Sequence, residues 1–361
     1  MAEQSRSIEG LRKEIDRLDS QIVTLINERA KVVREIGGLK SRADGHIYVP
    51  ARELEVYEKV CGHNDGPLPD NSLKAIYREI MSASINLERS VRVSYLGPAY
   101  TFTHLAAQRK FGSSVECIPA GDIREVFDTV SRGEAEYGVV PIENSTEGGV
   151  NPTTDMFIET DLLIYAEVYV RIHHCLAAKC RREEVVRIYS NPQILAQCRE
   201  WISANFKPAE LIETVSSTKA AQIAAAEPGA AAIAGEMAAE NYGLDVLARS
   251  IQDNPDNTTR FLILSGKPGE RTGRDKTSVM FSITDAVGAL YGMLEPFREA
   301  GINLTRIESR PSKRRAWDYL FFVDLIGHCQ DQVVAGALKR LEERCRSLKV
   351  LGSYPIAEKV F

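Results

Sequence analysis

The stretch DNTTRFLIL (256–264) sets two threonine hydroxyls and a guanidinium at the mouth of an apolar run. A turn leading into a strand accounts for the pattern by itself. The same turn would also deliver a hydrogen-bond donor and a carboxylate-binding cation to a ligand cleft. Three further stretches share this texture: GPAYTFTH with Thr101, ENSTEGGVNPTTD with Asn144 and Ser145, and ETVSSTKAA with Ser217 and Thr218. Each is weak alone, because Ser and Thr cap helices routinely. Four of them converging on one cleft would carry more. A different chemistry is written near the N-terminus, where Arg29 falls on a helical seam that calls for a hydrophobe. Arg12, Lys40 and Arg52 could add positive charge. An unpaired guanidinium on a buried seam is costly. Arg29 therefore pairs with Glu28 or Glu35 of a partner helix, sets register in a coiled coil, or lines a cationic pocket for a small anion. Charge pattern alone leaves these open.

Some chemistries are disfavoured. In HHCLAAKC (His173, His174, Cys175, Cys180) the two cysteines are five apart, which fits no usual zinc spacing, and a strand would point neighbouring side chains to opposite faces. No stretch has the spacing of a dinucleotide fingerprint, a Walker loop or GxSxG. No metal or cofactor is expected. Seven cysteines, an odd number in a long chain, read as free thiols.

The elements that must position these groups fall into three textures. From Ile8 to Leu39 apolar residues recur at alternating steps of three and four, broken only at Arg29, and predict one long helix of roughly 50 Å at about 1.5 Å per residue. It must pack along partners or another subunit to bury its stripe. Two shorter helices follow, one starting near Pro50 and one over 71–88 with Ser84 on its seam and Glu88 a turn further on. From Arg92 to about Gly266, short apolar runs alternate with helical patterns, as in mostly parallel sheets covered by helices. Two lobes are expected, 92–168 with a return over 245–266, and 169–244. Ligands in such folds bind beyond strand ends and at helix N-termini. After the connector GKPGERTGRDKTS, the order β-α-β-β-α-β describes a split βαβ unit.

The first ninety residues, through LRKEIDRLDSQIVTLINERAKVVREIGGLK, YVPARE and IYREIMSASINLE, resemble the all-helical chorismate mutase domain. YLGPxxTF, VVPIENSxxG, YSNPQILAQCRxW, SSTKAAQIA, AAIA and TTRF follow in the order of prephenate dehydratases. GAL (288–290) and ESRP (308–311) resemble a phenylalanine-binding ACT domain. The whole chain, over about 8–355, thus resembles the bifunctional chorismate mutase–prephenate dehydratase family.

That resemblance implies an all-α mutase domain (1–90), a two-lobed α/β dehydratase domain like type II periplasmic binding proteins (91–267), and an α+β ferredoxin-like ACT domain (275–358). It implies an interlocked dimer with shared mutase pockets. Arg12 comes from the partner's long helix, and Arg29, Lys40, Arg52, Glu53, Ser84 and Glu88 from one chain. Chorismate rearrangement is unimolecular, so this wall need only hold the compact dianion and stabilise charge on the ether oxygen. Arg12 and Arg29 are the expected carboxylate clamps. Lys40 faces the ether oxygen, and Glu53 accepts the ring hydroxyl. Glu88, where some relatives carry Gln, must be protonated or held by Lys40. The catalytic threonine of the dehydratase family matches Thr259, not Thr258. Arg260 is a candidate anchor for the prephenate carboxylate, and Thr101, Asn144, Ser145, Ser217 and Thr218 are cleft candidates for binding and relay. Tyr100 stands where glycine is common, and Asn191 where many relatives have histidine. Gly288, Ala289, Leu290, Asn303, Leu304, Glu308, Ser309 and Arg310 would line a phenylalanine site between two ACT domains, with feedback inhibition.

Composition is compatible with this. The chain has 361 residues, 44% hydrophobic and 26% charged, which suits a folded protein of two or three domains. A net charge of −5 gives no support for a nucleic-acid partner. No apolar signal core and no run of roughly 20 apolar residues is present, so a cytoplasmic location without membrane contact is expected. Two rival readings fit the sequence less well. A receptor without turnover leaves the polar seam of the bundle hard to explain, and a bifunctional dehydrogenase should need a nicotinamide fingerprint.

Overall fold

The computed structural model describes residues 7–40, 48–88, 90–206, 209–283, 286–311 and 319–357, and the side chains of Lys40 and Glu88 lie outside the described residues. The N-terminal helices, with the short stretch Phe111–Glu116, form one compact unit, and the rest of the chain forms a second.

The helical unit holds α1 (Ile8–Lys40), α2 (Pro50–Gly62) and α3 (Asp70–Glu88). Pro50 opens α2, where its missing N–H breaks no helical bond. The stripe of α1 stays uncovered within one chain: Ile22 is 52%, Leu25 63% and Leu39 68% exposed. A stripe this long is built to be covered by another helix.

The second unit begins with β1 (Arg92–Leu96), α4 (Phe102–Phe111), β2 (Glu116–Ala120), α5 (Ile123–Ser131), β3 (Tyr137–Asn144), β4 (Gly148–Gly149), α6 (Asn151–Glu159) and β5 (Leu163–Arg171). There follow β6 (Cys175–Ala178), β7 (Arg187–Ser190), α7 (Pro192–Gln197), α8 (Arg199–Asn205), β8 (Glu210–Glu213), α9 (Ser217–Ala226), β9 (Ala230–Ala234), α10 (Glu236–Asn241), β10 (Asp245–Ala248) and β11 (Thr258–Ser265). One sheet runs β2-β1-β3-β11-β5 with β4 on β3, and a second runs β10-β6-β9-β7-β8. These are the two lobes, but their seams differ from the sequence expectation. β5 continues in the first sheet to Arg171, and β10 pairs with β6 of the second, so the return to the first lobe comes only at β11. The sheets are also mixed: β11 is antiparallel to both β3 and β5. The apolar runs of β10 and β11 look alike in sequence, and pairing alone separates them.

The C-terminal segment is β12 (Asp275–Ser282), α11 (Ala289–Glu299), β13 (Leu304–Pro311), β14 (Tyr319–Ile326), α12 (Gln332–Glu342) and β15 (Ser347–Pro355), with sheet order β13-β14-β12-β15. Strand alternation divides its side chains between two cores. Val279, Phe281, Phe321, Val323 and Leu325 pack under α11 and α12 with Phe297 and Leu341. Met280, Leu320, Phe322, Leu351 and Tyr354 join Phe157, Ile164, Leu262 and Leu264 of the first lobe in one continuous core. Gly352 permits this docking: its φ is +149°, and a Cβ there would overlap the Ile164 backbone. The ACT-like sheet is therefore fused to the back of the first lobe.

Candidate active site

In the helical unit, α1 and α3 bring together Arg29 and Ser84. Arg29 Nη1 donates to Ser84 Oγ at 2.9 Å, and that hydroxyl donates to Ile80 O at 2.7 Å. Among the described residues of one chain Arg29 meets this hydroxyl and no carboxylate, and its pairing with Glu28 or Glu35 of a partner helix concerns a second copy. Glu53, 9% exposed, accepts from Tyr48 Oη at 2.6 Å and Tyr57 Oη at 3.0 Å. Burial, then the Glu53 charge, pushes the Tyr57 phenol well above its ordinary pKa, which keeps it a donor. Arg52 lies at the surface against Glu55. Arg12 is exposed, 17 residues from Arg29 on α1, or about 25 Å along the axis at 1.5 Å per residue. The Lys40 and Glu88 roles fall outside the described residues.

In the two-lobed domain the centre is Thr259. Its register partner across the β3–β11 ladder is Asn144, whose Nδ2 donates to Thr259 Oγ1 at 2.8 Å. The same Nδ2 donates to Asn257 Oδ1 at 2.8 Å. Asn257 Nδ2 donates to Gln197 Oε1 at 3.0 Å, and Gln197 Nε2 to Glu147 Oε1 at 2.6 Å. The ring closes through Glu147 N, which donates to Asn144 Oδ1 at 3.0 Å beside Thr146 N at 2.9 Å. Those two backbone donors fix which end of the Asn144 amide is oxygen. Direction then follows around the ring: Thr259 accepts from Asn144, and its own proton faces no acceptor among the described residues. An accepted hydrogen bond also favours the charge that develops on Oγ1 when that proton shifts away.

The ring crosses the lobes, since Gln197 ends α7 while Asn144, Glu147 and Asn257 flank β3 and β11. His174 stands behind it: Nε2 is 2.9 Å from Gln197 Oε1, and Nδ1 is buried without a partner. Burial lowers its pKa, so the imidazole is neutral and donates through Nε2. The Phe102 ring stands edge-on to it at 5.5 Å, and a Cβ at Gly235 would come within 3.3 Å of that ring. Sequence reasoning passed over Gln197, Asn257 and Glu147. Side-chain amides 53 to 60 residues apart have no shared periodicity, and only the family resemblance of YSNPQILAQCRxW pointed at the first.

The other candidates are placed as follows. Thr101 accepts from His104 N and donates to Leu96 O, both at 3.4 Å, and so caps α4. Thr218 donates to Ala99 O at 3.0 Å, tying α9 of one lobe to the loop after β1 of the other. Ser217 lies buried in the first turn of α9. Asn191 accepts from Gln193 N and caps α7. Tyr100 adopts φ +66°, the left-handed form that glycine takes freely, with its N–H donating to His104 Nδ1 at 3.0 Å. Two expectations need correction. Ser145 Oγ accepts from Thr258 N at 2.9 Å and reaches Asp256 O at 3.2 Å, so it staples the turn. Together with Thr258, Glu143 and Arg260 it lines a cavity of about 800 Å³ on the reverse face of β11. Arg260 is no anchor beside Thr259, because strand alternation sends it to that reverse face.

There Arg260 enters a buried ionic cluster. Nε donates to Glu167 Oε2 at 2.8 Å, Nη1 to Asp324 Oδ2 at 2.6 Å and Nη2 to Tyr354 Oη at 2.9 Å. Lys276 Nζ reaches both Glu167 oxygens, at 2.9 and 2.8 Å. Two cations face two carboxylates, so the cluster is formally neutral. Burial alone would raise the Asp324 pKa; Arg260 and the Ser278 hydroxyl outweigh it and hold the carboxyl below its ordinary value. Burial lowers Lys276, and Glu167 offsets that only in part.

In the C-terminal sheet, Gly288 (φ +77°), Ala289 and Leu290 line a cavity of about 280 Å³ with Ile283, Tyr319 and Phe321. Glu308 and Arg310 do not share it within one chain. They point at the first lobe, Glu308 against Gly149 and Arg310 to Asp155 at 3.0 Å. Ser309 and Asn303 are exposed, and Leu304 packs under the helices.

Family models match in the same order: chorismate mutase type II over residues 11–89, prephenate dehydratase over 93–269 and an ACT domain over 277–343. A bifunctional chorismate mutase/prephenate dehydratase of Aquifex aeolicus is 50% identical over 97% of this chain and 98% of its own. One from Pseudomonas aeruginosa is 42% identical over 99% of this chain and all of its own. The structure of a prephenate dehydratase from Arthrobacter aurescens in complex with L-Phe has 37% identity and a TM-score of 0.69, over 74% of this chain and 91% of that one.

Proposed function

The chain belongs to the bifunctional chorismate mutase/prephenate dehydratase family, and we infer that it runs its two reactions at two separate sites, with Thr259 the proton donor of the second. The mutase and dehydratase activities together place it in phenylalanine biosynthesis.

In the dehydratase step, the bond from the ring to its carboxylate breaks and its electron pair enters the ring. The hydroxyl on the opposite ring carbon departs and takes a proton to leave as water. Aromatisation supplies the driving force, so the protein need only orient the dianion, exclude water and provide that proton. The single observation that carries the reading is the direction of the Asn144–Thr259 hydrogen bond, which leaves the threonine proton as the available one. The Asn257, Gln197 and Glu147 ring holds Asn144 in that orientation. Thr101, Ser217 and Thr218 shape the cleft mouth.

In the mutase step, Arg29 clamps a chorismate carboxylate with Ser84 steering its guanidinium, Glu53 accepts the ring hydroxyl, and Lys40, Arg52 and Glu88 complete the wall. Arg12 is about 25 Å from Arg29 along α1, so it serves the pocket of a partner in a homodimer whose contact covers the exposed stripe. L-Phenylalanine binds the C-terminal domain at Gly288–Leu290, with the exposed Asn303 and Ser309 reaching it across an interface with a second copy, and inhibits the dehydratase. The substrates are water-soluble anions, in keeping with a cytoplasmic enzyme.

The test supplies chorismate and resolves the products while titrating phenylalanine. Prephenate should appear first, then phenylpyruvate, with the second step falling as phenylalanine rises. Neither product at any pH would overturn the reading, and hydroxyphenylpyruvate made with a nicotinamide would point to a dehydrogenase.

A further inference from the structure

The β3–β11 ladder presents two adjacent register pairs. Thr259 opposite Asn144 faces the cleft, and one step along, Arg260 opposite Glu143 faces the other way. The front pair carries the proton donor. The rear pair is gripped by the C-terminal domain. Arg260 is held by Asp324 of β14 and Tyr354 of β15. Ser278 of β12 ties those two together, at 2.5 Å to Asp324 Oδ1 and 2.6 Å to Tyr354 Oη. Glu143 is 3.7 Å from Arg306 of β13 and 3.8 Å from Arg260. Strands β13, β14 and β15 of the C-terminal sheet thus hold the rear pair directly, and β12 braces it through Ser278, one residue along each strand from the pair that makes the site.

We propose that this rear grip is the coupling element between the effector domain and the dehydratase. Arg260 is a positioning residue: it acts on Thr259 through the peptide bond they share, and Asp324 and Tyr354 set where it sits. The geometry suits the role. The guanidinium is buried, with Nε tied to Glu167 of β5 and its two other nitrogens to Asp324 and Tyr354, so a shift of the C-terminal sheet strains it against its own lobe. The catalytic hydroxyl is one residue away on a strand locked by β3 and β5. A phenylalanine-induced shift of the sheet would therefore reach the Asn144–Thr259 bond directly, with no loop needed to relay it. Conversely, a ligand in the cleft that draws Thr259 forward pulls on the same cluster, as reciprocity requires.

The inference rests on phenylalanine acting at the C-terminal domain, and the experiment separates the two claims. Tyr354→Phe removes only the hydroxyl that bridges Arg260 and Ser278. Asp324→Asn removes the charge while keeping the shape. Both should retain most dehydratase turnover without effector, which also reports that they fold. Phenylalanine binding is measured calorimetrically on the full chain, with and without saturating phenylpyruvate. In the parent, phenylpyruvate should change phenylalanine affinity by about fivefold or more, the range of ordinary coupling. In at least one variant the change should shrink to within about twofold, while phenylalanine still binds. A parental change in both active variants would overturn the coupling role and leave the effector reading standing. A parent that binds no phenylalanine would overturn both.

Discussion

Exchanging Asn144 for aspartate tests the direction of the hydrogen bond on which the dehydratase account depends. Asn144 makes four bonds: it donates to Thr259 Oγ1 and Asn257 Oδ1, and accepts from the N–H groups of Thr146 and Glu147. Aspartate has the same shape and keeps both accepted bonds. It turns the two donors into acceptors. Thr259 then gives its proton to the new carboxylate instead of the substrate, and Asn257 Oδ1, in a residue only 1% exposed, loses its donor. Loss of one preorganised donor to an oxygen that develops charge costs about 10²–10³ in kcat, or about 2.7–4 kcal/mol. The orphaned Asn257 acceptor costs a further ~1–3 kcal/mol, but in stability. The assay supplies prephenate directly, times phenylpyruvate, and follows mutase turnover in the same sample. The expected result is a kcat lower by about 10²–10³, KM changed only a few-fold, and mutase turnover untouched. Turnover should recover partly in acid, as the aspartate takes up a proton and can donate again. A kcat within about threefold of the parent, or a loss confined to KM, would refute the reasoning.

Three further outcomes follow from the same geometry. Arg29→Ala should lower mutase kcat/KM by about 10² or more and leave the dehydratase intact; its stability should barely move, since Ser84 keeps its bond to Ile80 O, and equal loss at both sites would contradict two separate centres. Tyr100→Gly should fold and turn over, whereas Tyr100→Val should destabilise by roughly 1–2 kcal/mol in denaturant melts, because the left-handed φ rejects a β-branched residue; equal stability of the two would count against strain at this turn. Burial holds the His174 pKa below its ordinary value, so the unfolded chain binds the extra proton first as pH falls below about 6.5. Stability should therefore decline from about pH 6.5 downward and level off beneath the folded pKa, and His174→Gln should flatten part of that slope in thermal melts; identical slopes would contradict it.

The sequence carried the helical seam well, because a 3.6 period broken by Arg29 and a small polar Ser84 on the facing seam are both visible without coordinates, and the two side chains meet. Thr259 was separable from Thr258 only by resemblance. Period-two alternation was sufficient to put Arg260 on the face opposite Thr259, and the motif TTRF obscured it by making neighbours in sequence look like neighbours in space. Ser145 misled in the same way: a serine beside Asn144 reads as a ligand group, and its bonds to the 256–258 turn depend on β3 and β11 lying side by side. The amide ring was illegible, since Asn and Gln carry no periodic signature and their meeting depends on how the lobes close. The rear grip was hidden for a related reason. Lys276, Ser278, Asp324 and Tyr354 look like strand polar residues until the C-terminal sheet is seen docked on the first lobe through Gly352.

The most direct test of the central claim uses Thr259→Ala in the full chain supplied with chorismate. Prephenate should accumulate to the full amount of chorismate consumed, at the parental mutase rate, with phenylpyruvate formation slowed by about 10² or more. Phenylpyruvate appearing at the parental rate would contradict the assignment of Thr259 as the proton donor.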